Sequence, residues 1–226
     1  MDEYELNGVR LALPEGMGGK RIGAKLQSGG YEGSEAQAVL RRIKPGFKVL
    51  ELGGGMGYIS ALCARLSGAE NVVTVEANPL MLPVIRANLD RNGYQAATLI
   101  HGAVTGDAVE GKSLLFQQGG QFWGSAIAGA DADPDKVVEV PLLRISDLLA
   151  EHKPQAVIMD IEGAEQHLFD KKWPHHVRLV MMELHLKRYP DTVIKRIVDC
   201  MSDSGLTYDP QTSRGTVLGF RRVRQK

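Results

Sequence analysis

The chain predicts an α/β fold in which a mostly parallel sheet is covered by helices, and three observations carry that expectation. Short apolar runs alternate with segments of helical periodicity from FKVLEL to TLIHGAV, a glycine-rich turn joins the first run to its helix, and the alternation resumes after Arg144. Strands joined through intervening helices connect by right-handed crossovers, which leaves both sheet faces covered.

The first 33 residues are dense in glycine and are expected to form an N-terminal cover. From Ser34 to Ile43 a helix places Ala36, Val39, Leu40 and Ile43 on one face, with Ser34 and Gln37 spaced as a capping box, and Pro45-Gly46 ends it. FKVLEL suits a strand buried on both sides. Ile59, Leu62 and Leu66 mark the next helix and Gly68 its stop. NVVTVEAN is the second strand. Asn78 is expected to cap the following helix with Pro79 at its first position, Leu82, Ile85 and Leu89 as its stripe and Gly93 as its end. TLIHGAV reads as a third strand.

Residues 106–141 break this rhythm with SLLFQQGG, the acidic turn DADPD and VVEVPL, a pattern for a hairpin-like insertion. A short helix from Ile145 to Ala150, the strand AVIMDIEG, a helix from Ala164 to about Phe169 and the strand VRLVMMELH restore it. A helix capped by Asp191 should bury Val193, Ile194, Ile197, Val198 and Met201 before Gly205. LTYDP and TVLGFRRV form an antiparallel ending. No repeat or linker divides the chain, so residues 1–226 are expected to be one domain with a cover (1–33) and an insertion (106–141).

Composition narrows the function. Lys and Arg total 27 against 27 Asp and Glu, so the formal net charge is zero, and the lack of a basic excess speaks against nucleic acid as the partner. Hydrophobic residues make up 43%, without any apolar run of the ~18–20 residues that a membrane span needs. The start MDEYEL lacks the features of a signal peptide, and a cytoplasmic protein is expected. The basic tail of Arg221, Arg222, Arg224 and Lys226 reads as a solvated edge, and Cys63 and Cys200 as buried apolar residues rather than a redox or zinc pair.

The densest chemical signal is VLELGGGMGYIS. Gly53, Gly54, Gly55 and Gly57 let a ligand approach the backbone, and the helix behind them offers N–H groups. Glu76 ends the second strand, with Ala77 beside it, where a carboxylate can accept from both hydroxyls of a ribose. The dinucleotide spacing G-x-G-x-x-G fails in every frame, because Tyr58 or Ser60 occupies its last position, which disfavours a nicotinamide dehydrogenase. The pattern E-x-G-x-G-x-G instead suits a cofactor with a cation near its nucleoside, with Glu51 facing the ammonium of methionine. S-adenosylmethionine is the cofactor inferred.

With these pieces in hand, the stretch from about Tyr31 to His185 resembles the FkbM-type family of S-adenosylmethionine-dependent methyltransferases. The resemblance rests on YEGSE, VLELGGGMGYIS, VTVEANP, HGAV, the Trp123–Ser125 stretch, ISDLL, AVIMDIEGAE and MMELH, in that order. It implies a Rossmann-like class I methyltransferase fold, a three-layer sandwich around seven strands with the last antiparallel, and O-methylation of a hydroxyl on a sugar, glycolipid, polyketide or related metabolite. It also implies cofactor contacts at Glu51, Gly53, Gly55 and Glu76, with Tyr31 and Glu32 nearby and Ala103 and Val104 near the adenine. Two positions depart from the family's usual Asp and Asn, at Glu51 and Gly55, and the family's Lys-x-Asp-x-Glu-Gly has Ile158 in place of its lysine.

Methyl transfer from a sulfonium needs an acceptor held in line, and an alcohol must also lose its proton. Asp160 and Glu162 end one strand and Glu183 and His185 the next, each pair on one face at the carboxyl edge of a parallel sheet. The expected roles are His185 or Asp160 as base, Asp160 also beside the cofactor's methyl end, and Glu162 and Glu183 on acceptor hydroxyls. No dedicated metal site is expected, although the same acids could hold magnesium. The remaining histidines, His101, His152, His167, His175 and His176, read as incidental, and Phe122 and Trp123 as an aromatic wall over the acceptor or an anchor for the insertion. A non-catalytic cofactor-binding scaffold and a methyltransferase acting on a macromolecule are the alternatives.

Overall fold

Each apolar run of the alternating pattern forms a strand of one twisted sheet in the computed structural model, which describes residues 2–14, 16–119, 126–127 and 133–223. Its chain order begins with β1 (Asp2–Leu6), β2 (Val9–Leu13), α1 (Gly19–Gln27), α2 (Gly33–Arg42), β3 (Val49–Leu52), α3 (Tyr58–Ser67), β4 (Val72–Glu76), α4 (Leu82–Arg91) and β5 (Thr98–His101). It continues with β6 (Ala103–Thr105), β7 (Ser113–Gln117), β8 (Ala126–Ile127), β9 (Val137–Arg144), α5 (Ile145–His152), β10 (Ala156–Met159), β11 (Leu179–Glu183), α6 (Asp191–Asp203), β12 (Leu206–Tyr208) and β13 (Val217–Arg222). The seven-stranded sheet has the order β12-β13-β11-β10-β3-β4-β5, and β13 runs antiparallel to both of its neighbours. This is the Rossmann-like α/β arrangement expected from the sequence.

The period of two in the strands separates two cores. Leu50, Leu52, Val157, Met159, Val180 and Met182 face one, with α5 and α6 residues such as Leu149 and Ile197. Val49, Ile158 and Met181 face the other, with α2, α3 and α4 residues such as Val39, Leu62 and Ile85. Register then sets the functional edge. Leu52 pairs with Met159 and Met159 with Met182, so the next residues, Gly53, Asp160 and Glu183, emerge side by side at the carboxyl ends of β3, β10 and β11.

Several local expectations are corrected. TLIHGAV is not one strand: it breaks at Gly102, and β6 leaves the main sheet to pair with β9 in a second sheet of order β6-β9-β7-β8, which is the insertion. Helix α4 begins at Leu82, with Pro83 rather than Pro79 in its first turn, because the Asn78 side chain accepts from the N–H of Leu80 and closes a turn of its own. Helix α2 has no capping box; Glu32 caps it in a left-handed conformation (φ 45°) with no side-chain bond. The helix expected over Ala164 to Phe169 is one 3-10 turn, Ala164–His167, and Val198 of α6 is 41% exposed. Cys63 and Cys200 are free and buried. No helix among the described residues is long and apolar enough to cross a membrane.

The N-terminal cover is a hairpin followed by α1. Asn7 and Gly8, both with positive φ, make the two-residue turn between β1 and β2, a turn that glycine and asparagine favour. Val9, Leu11 and Leu13 of β2 are buried in the core on the α3 and α4 side. Helix α4 receives the strand as if it were a sheet edge. The Asn88 amide accepts from the N–H of Ala12 (2.8 Å) and donates to its carbonyl (3.0 Å), and Asn92 does the same to Arg10 at 2.9 and 2.7 Å.

Candidate active site

The loop from Gly53 to Gly57 joins β3 to α3, and two of its glycines are required by geometry. At Gly53 (φ 88°) a Cβ would stand 1.9 Å from the carbonyl oxygen of Asp160, so only hydrogen fits between the ends of β3 and β10. Gly55 (φ 54°) turns its N–H to the Glu76 carboxylate at 3.0 Å. The other oxygen of Glu76 accepts from the N–H of Asn78 at 2.7 Å. Burial raises the Glu76 carboxyl, while backbone N–H groups of Asn78, Gly55, Gly54 and Ala77 oppose that shift. The acid thus ties the ends of two strand-following loops together.

A cleft opens above this loop. Tyr31, Glu32, Gly53, Gly55 and Glu76 line one side, with Ala77, Ala103 and Val104 continuing the wall and Asp160 and Glu162 facing them. The cleft therefore gathers the residues expected around a cofactor, with one departure. Glu51 lies beneath the loop rather than on the wall: it is 3% exposed, and its carboxyl accepts from the hydroxyls of Ser60 and Thr74, the latter at 2.8 Å. Burial lifts it to about 8, against those hydrogen bonds and with the charge of Glu76 adding to the rise, so it is largely uncharged at neutral pH.

Sequence reasoning missed Met81, Phe116, Ile161 and Ala164 on the wall. Phe116 reaches it from β7 of the second sheet, a pairing that only tertiary structure reveals. Tyr31 and Glu32 stand against the glycine loop. The Tyr31 hydroxyl and a Glu32 oxygen both come within 3.4 Å of where a Cβ on Gly55 would lie. Burial raises both groups, and the charge of Glu32 pushes Tyr31 further.

His185 and Glu183 are not on the cleft wall; the histidine sits among carboxylates that include the wall residues Asp160 and Glu162. His185 Nε2 lies 3.3 Å from Asp160 and 3.4 Å from Glu162, and its Nδ1 lies 3.1 Å from Glu165. Glu183, whose carboxylate accepts from Thr216, brings an oxygen into the same group as Asp160 and His185, within 4.8 Å of both. Burial disfavours the charged imidazole, but contacts with Asp160 and Glu165 override it and raise His185 to about 10. The ring is therefore an imidazolium at neutral pH, and a proton held that firmly is unavailable for base catalysis. Burial and the charge of Asp160 raise Glu162 to about 7, with His185 and Arg188 opposing; Glu162 also adopts a left-handed backbone (φ 54°) uncommon for its type.

Two further acids belong to this group, Glu165 at the end of AVIMDIEGAE and Glu35 at the end of YEGSE, and the sequence assigns neither a role. Glu165 is fully buried and also accepts from the N–H of Ile161 at 3.0 Å. Glu35, on α2, is raised to about 7 by burial, with Glu183 and Asp160 adding to the effect. Of the histidines set aside, His101 contacts the Ala77 carbonyl at 3.2 Å. Phe122 and Trp123 lie outside the described residues.

Residues 39–208 match the methyltransferase FkbM domain. The chain belongs to that family, whose members are S-adenosylmethionine-dependent methyltransferases. Among curated relatives, a protein-L-isoaspartate O-methyltransferase of Methanococcoides burtonii is 41% identical over 63 residues, covering 27% of this chain and 31% of the relative. A ribosomal protein L11 methyltransferase of Thermus thermophilus is 39% identical over 59 residues, or 26% of this chain and 22% of that one. The chain thus spans less than a third of the length of these relatives. Among solved structures, the precorrin-6y C5,15-methyltransferase of Geobacter metallireducens aligns over 93% of this chain and 91% of its own, at 14% identity and a TM-score of 0.44.

In this FkbM-domain chain, two departures from the family pattern have structural counterparts. The left-handed φ of Gly55 is one that asparagine tolerates better than most side chains, so the usual Asn and this Gly serve the same turn. Ile158, standing in the lysine's place, is buried and is the direct register partner of Glu51 on the same sheet face. Ile158 thus stands beside an acid that burial holds largely uncharged.

Proposed function

We propose that the chain is an S-adenosylmethionine-dependent methyltransferase acting on a hydroxyl of a small acceptor such as a sugar, glycolipid, polyketide or related metabolite. One observation supports this reading above the rest: a single cleft is lined by the buried carboxylate Glu76 beside a glycine turn and by the acids Asp160 and Glu162. A nucleoside whose far end carries a positive sulfur matches that charge distribution. Gly53 and Gly55 would lie against it, Ala103 and Val104 would flank the adenine, and Tyr31 and Glu32 would close over the middle.

When bound, S-adenosylmethionine supplies a methyl group on a sulfonium sulfur. As an acceptor oxygen took that methyl group and left the electron pair of the carbon–sulfur bond on sulfur, its hydroxyl proton would pass to a carboxylate of this chain. Glu162, raised to about 7, has the affinity for that proton, and Asp160 stands beside it. His185 would act as a positioning cation that holds both carboxylates, and Glu183 would orient another acceptor hydroxyl. Of the two bases expected from the sequence, His185 or Asp160, this reading keeps Asp160, and it adds Glu162, which was expected to bind acceptor hydroxyls.

Magnesium fits the group poorly. The three side chains that could share an ion are Asp160, Glu183 and His185, and one of these is a nitrogen donor that must first give up a firmly held proton, whereas magnesium takes oxygen ligands. No step is routed through a metal, and activity unchanged by EDTA is expected.

The test is calorimetry with S-adenosylmethionine and S-adenosylhomocysteine, followed by mass spectrometry of reactions containing labelled cofactor and a panel of hydroxylated metabolites. Absence of binding overturns the cofactor assignment. Binding without transfer to any hydroxyl, but with transfer to a protein or RNA, overturns the acceptor class.

A further inference from the structure

A second cavity, of about 650 Å³, lies across a thin partition from the cleft. The same two chain segments line both. Ala103 and Val104 of β6 face the cleft, and the chain running on from β6 gives Gly106 and Asp107 to the cavity; likewise Asp160 to Ala164 face the cleft, and His167 and Leu168 the cavity. The partition is tight, since a Cβ on Gly106 would stand 2.0 Å from the carbonyl oxygen of His167.

The cavity has a preformed apolar wall. Ile145, Leu149, Leu168, Trp173 and Pro174 supply it. Trp173 is stacked on Phe169, with centroids 5.2 Å and planes 6° apart, and its indole N–H donates to the Leu168 carbonyl at 3.1 Å. The ring is therefore fixed without any ligand, which lowers the ordering cost of binding.

Charge around this wall is unbalanced. Lys171 pairs with Asp107 at 2.8 Å, and Asp170 lies 3.8 Å from Arg196. Lys153 and Lys172, by contrast, have no acidic partner among the described residues, although both line the cavity. Lys153 sits at the C-cap of α5 in a left-handed conformation (φ 46°), which fixes where its side chain leaves the backbone. His176 also lines the cavity and has a buried Nε2 with no hydrogen-bond partner. A volume of this size accommodates a small organic molecule.

We propose that this cavity is a binding site for a flat, apolar small molecule bearing one anionic group such as a carboxylate or sulfonate. Its ring system lies against Leu149, Leu168 and Trp173 and its anion meets Lys153 and Lys172. The site does not depend on the methyl-transfer reading.

The test uses 8-anilinonaphthalene-1-sulfonate as an aromatic anion, titrated by fluorescence into the full chain, with N-phenyl-1-naphthylamine as its uncharged counterpart. One saturable site is expected, with the sulfonate binding more tightly than the neutral ring. The Lys153→Glu/Lys172→Glu double variant, altered only at exposed positions, should bind the sulfonate about tenfold more weakly or worse, with an unchanged melting temperature. Ala150→Trp, exposed on the cavity rim, should weaken both probes by narrowing the space. Unchanged affinity in both variants overturns the proposal, as does the absence of saturable binding. Loss of binding in Glu76→Gln with retention in the cavity variants would place the probe in the cleft and overturn it equally.

Discussion

The Nδ1 of His185 lies 3.1 Å from an oxygen of Glu165, a carboxylate with no exposure to solvent. On the other side of the ring stand Asp160 and Glu162, so one imidazolium balances three acids. Its pKa of about 10 exceeds the ordinary value of 6.5, so its contribution to stability is full below pH 6.5 and is lost as pH rises through 10. His185→Gln should therefore lower stability by roughly 2–4 kcal/mol near pH 6, and the gap should close by pH 10.5. Thermal melts across that range check this; a gap that does not change with pH would refute it.

Cofactor binding should release protons. Glu35 and Glu162 both rest near 7, above the usual carboxylate range, so the unliganded protein loses stability as pH rises from about 4.5 through 7. A sulfonium in the cleft favours the charged form of Glu162, which lines it. Affinity for S-adenosylmethionine should then rise between pH 6 and 8, more steeply than for S-adenosylhomocysteine, which lacks the positive sulfur. Calorimetry in buffers of different ionisation heat would count the protons, and equal pH slopes for the two ligands would be the contrary result.

Glu76→Gln keeps the size of the side chain but replaces one of two acceptor oxygens with a donor facing a backbone N–H. At Gly55 or Asn78 one N–H must then lose its partner. The expected loss is about 1–3 kcal/mol in ligand binding, roughly 10- to 100-fold in Kd.

The pairing of Ile158 with Glu51 predicts an unusual tolerance. A lysine at 158 would normally be destabilising in a buried strand, but here it would stand beside an acid able to give up its proton. Ile158→Lys should fold with Glu51 present and lose about 3–5 kcal/mol more in the Glu51→Leu background, since a lone buried charge remains there. A double-mutant cycle by urea denaturation measures the coupling, and additivity would exclude it.

Asn88→Ala removes the contacts that seat the N-terminal hairpin and leaves Ala12 and Met56 groups without partners. A loss of about 3 kcal/mol, or about 6–12 °C in melting temperature, is expected. Hydrogen exchange should show the new opening confined first to β1 and β2.

Much of the sheet could be read in the sequence because its strands are short, apolar and bounded by glycine, so burial on both faces leaves a direct trace. The glycine loop and Glu76 were legible for the same reason: backbone geometry restricts residue type. What failed was whatever depends on distant partners. Glu51 sits two residues from the loop in a pattern that suggests a ligand contact, yet Ser60 and Thr74 claim its carboxyl. The break at Gly102 depends on β9, some 40 residues later, drawing β6 away. Glu35 and Glu165 close the strings YEGSE and AVIMDIEGAE, yet nothing in those strings says that the fold brings the one near Asp160 and the other onto His185. The titration of His185 depends on Asp160, which the strand ends already brought near, and on Glu165, which the spacing did not point to.

The hairpin on α4 has a practical consequence. The part of the chain matching the family begins at residue 39, well after β2, and a fragment cut at that boundary would leave bare the surface that Val9, Leu11 and Leu13 now cover. Such a fragment would be sticky rather than merely weakened, with greasy helix flanks open to its neighbours, and its tendency to clump would say nothing about whether the catalytic half had been assembled correctly.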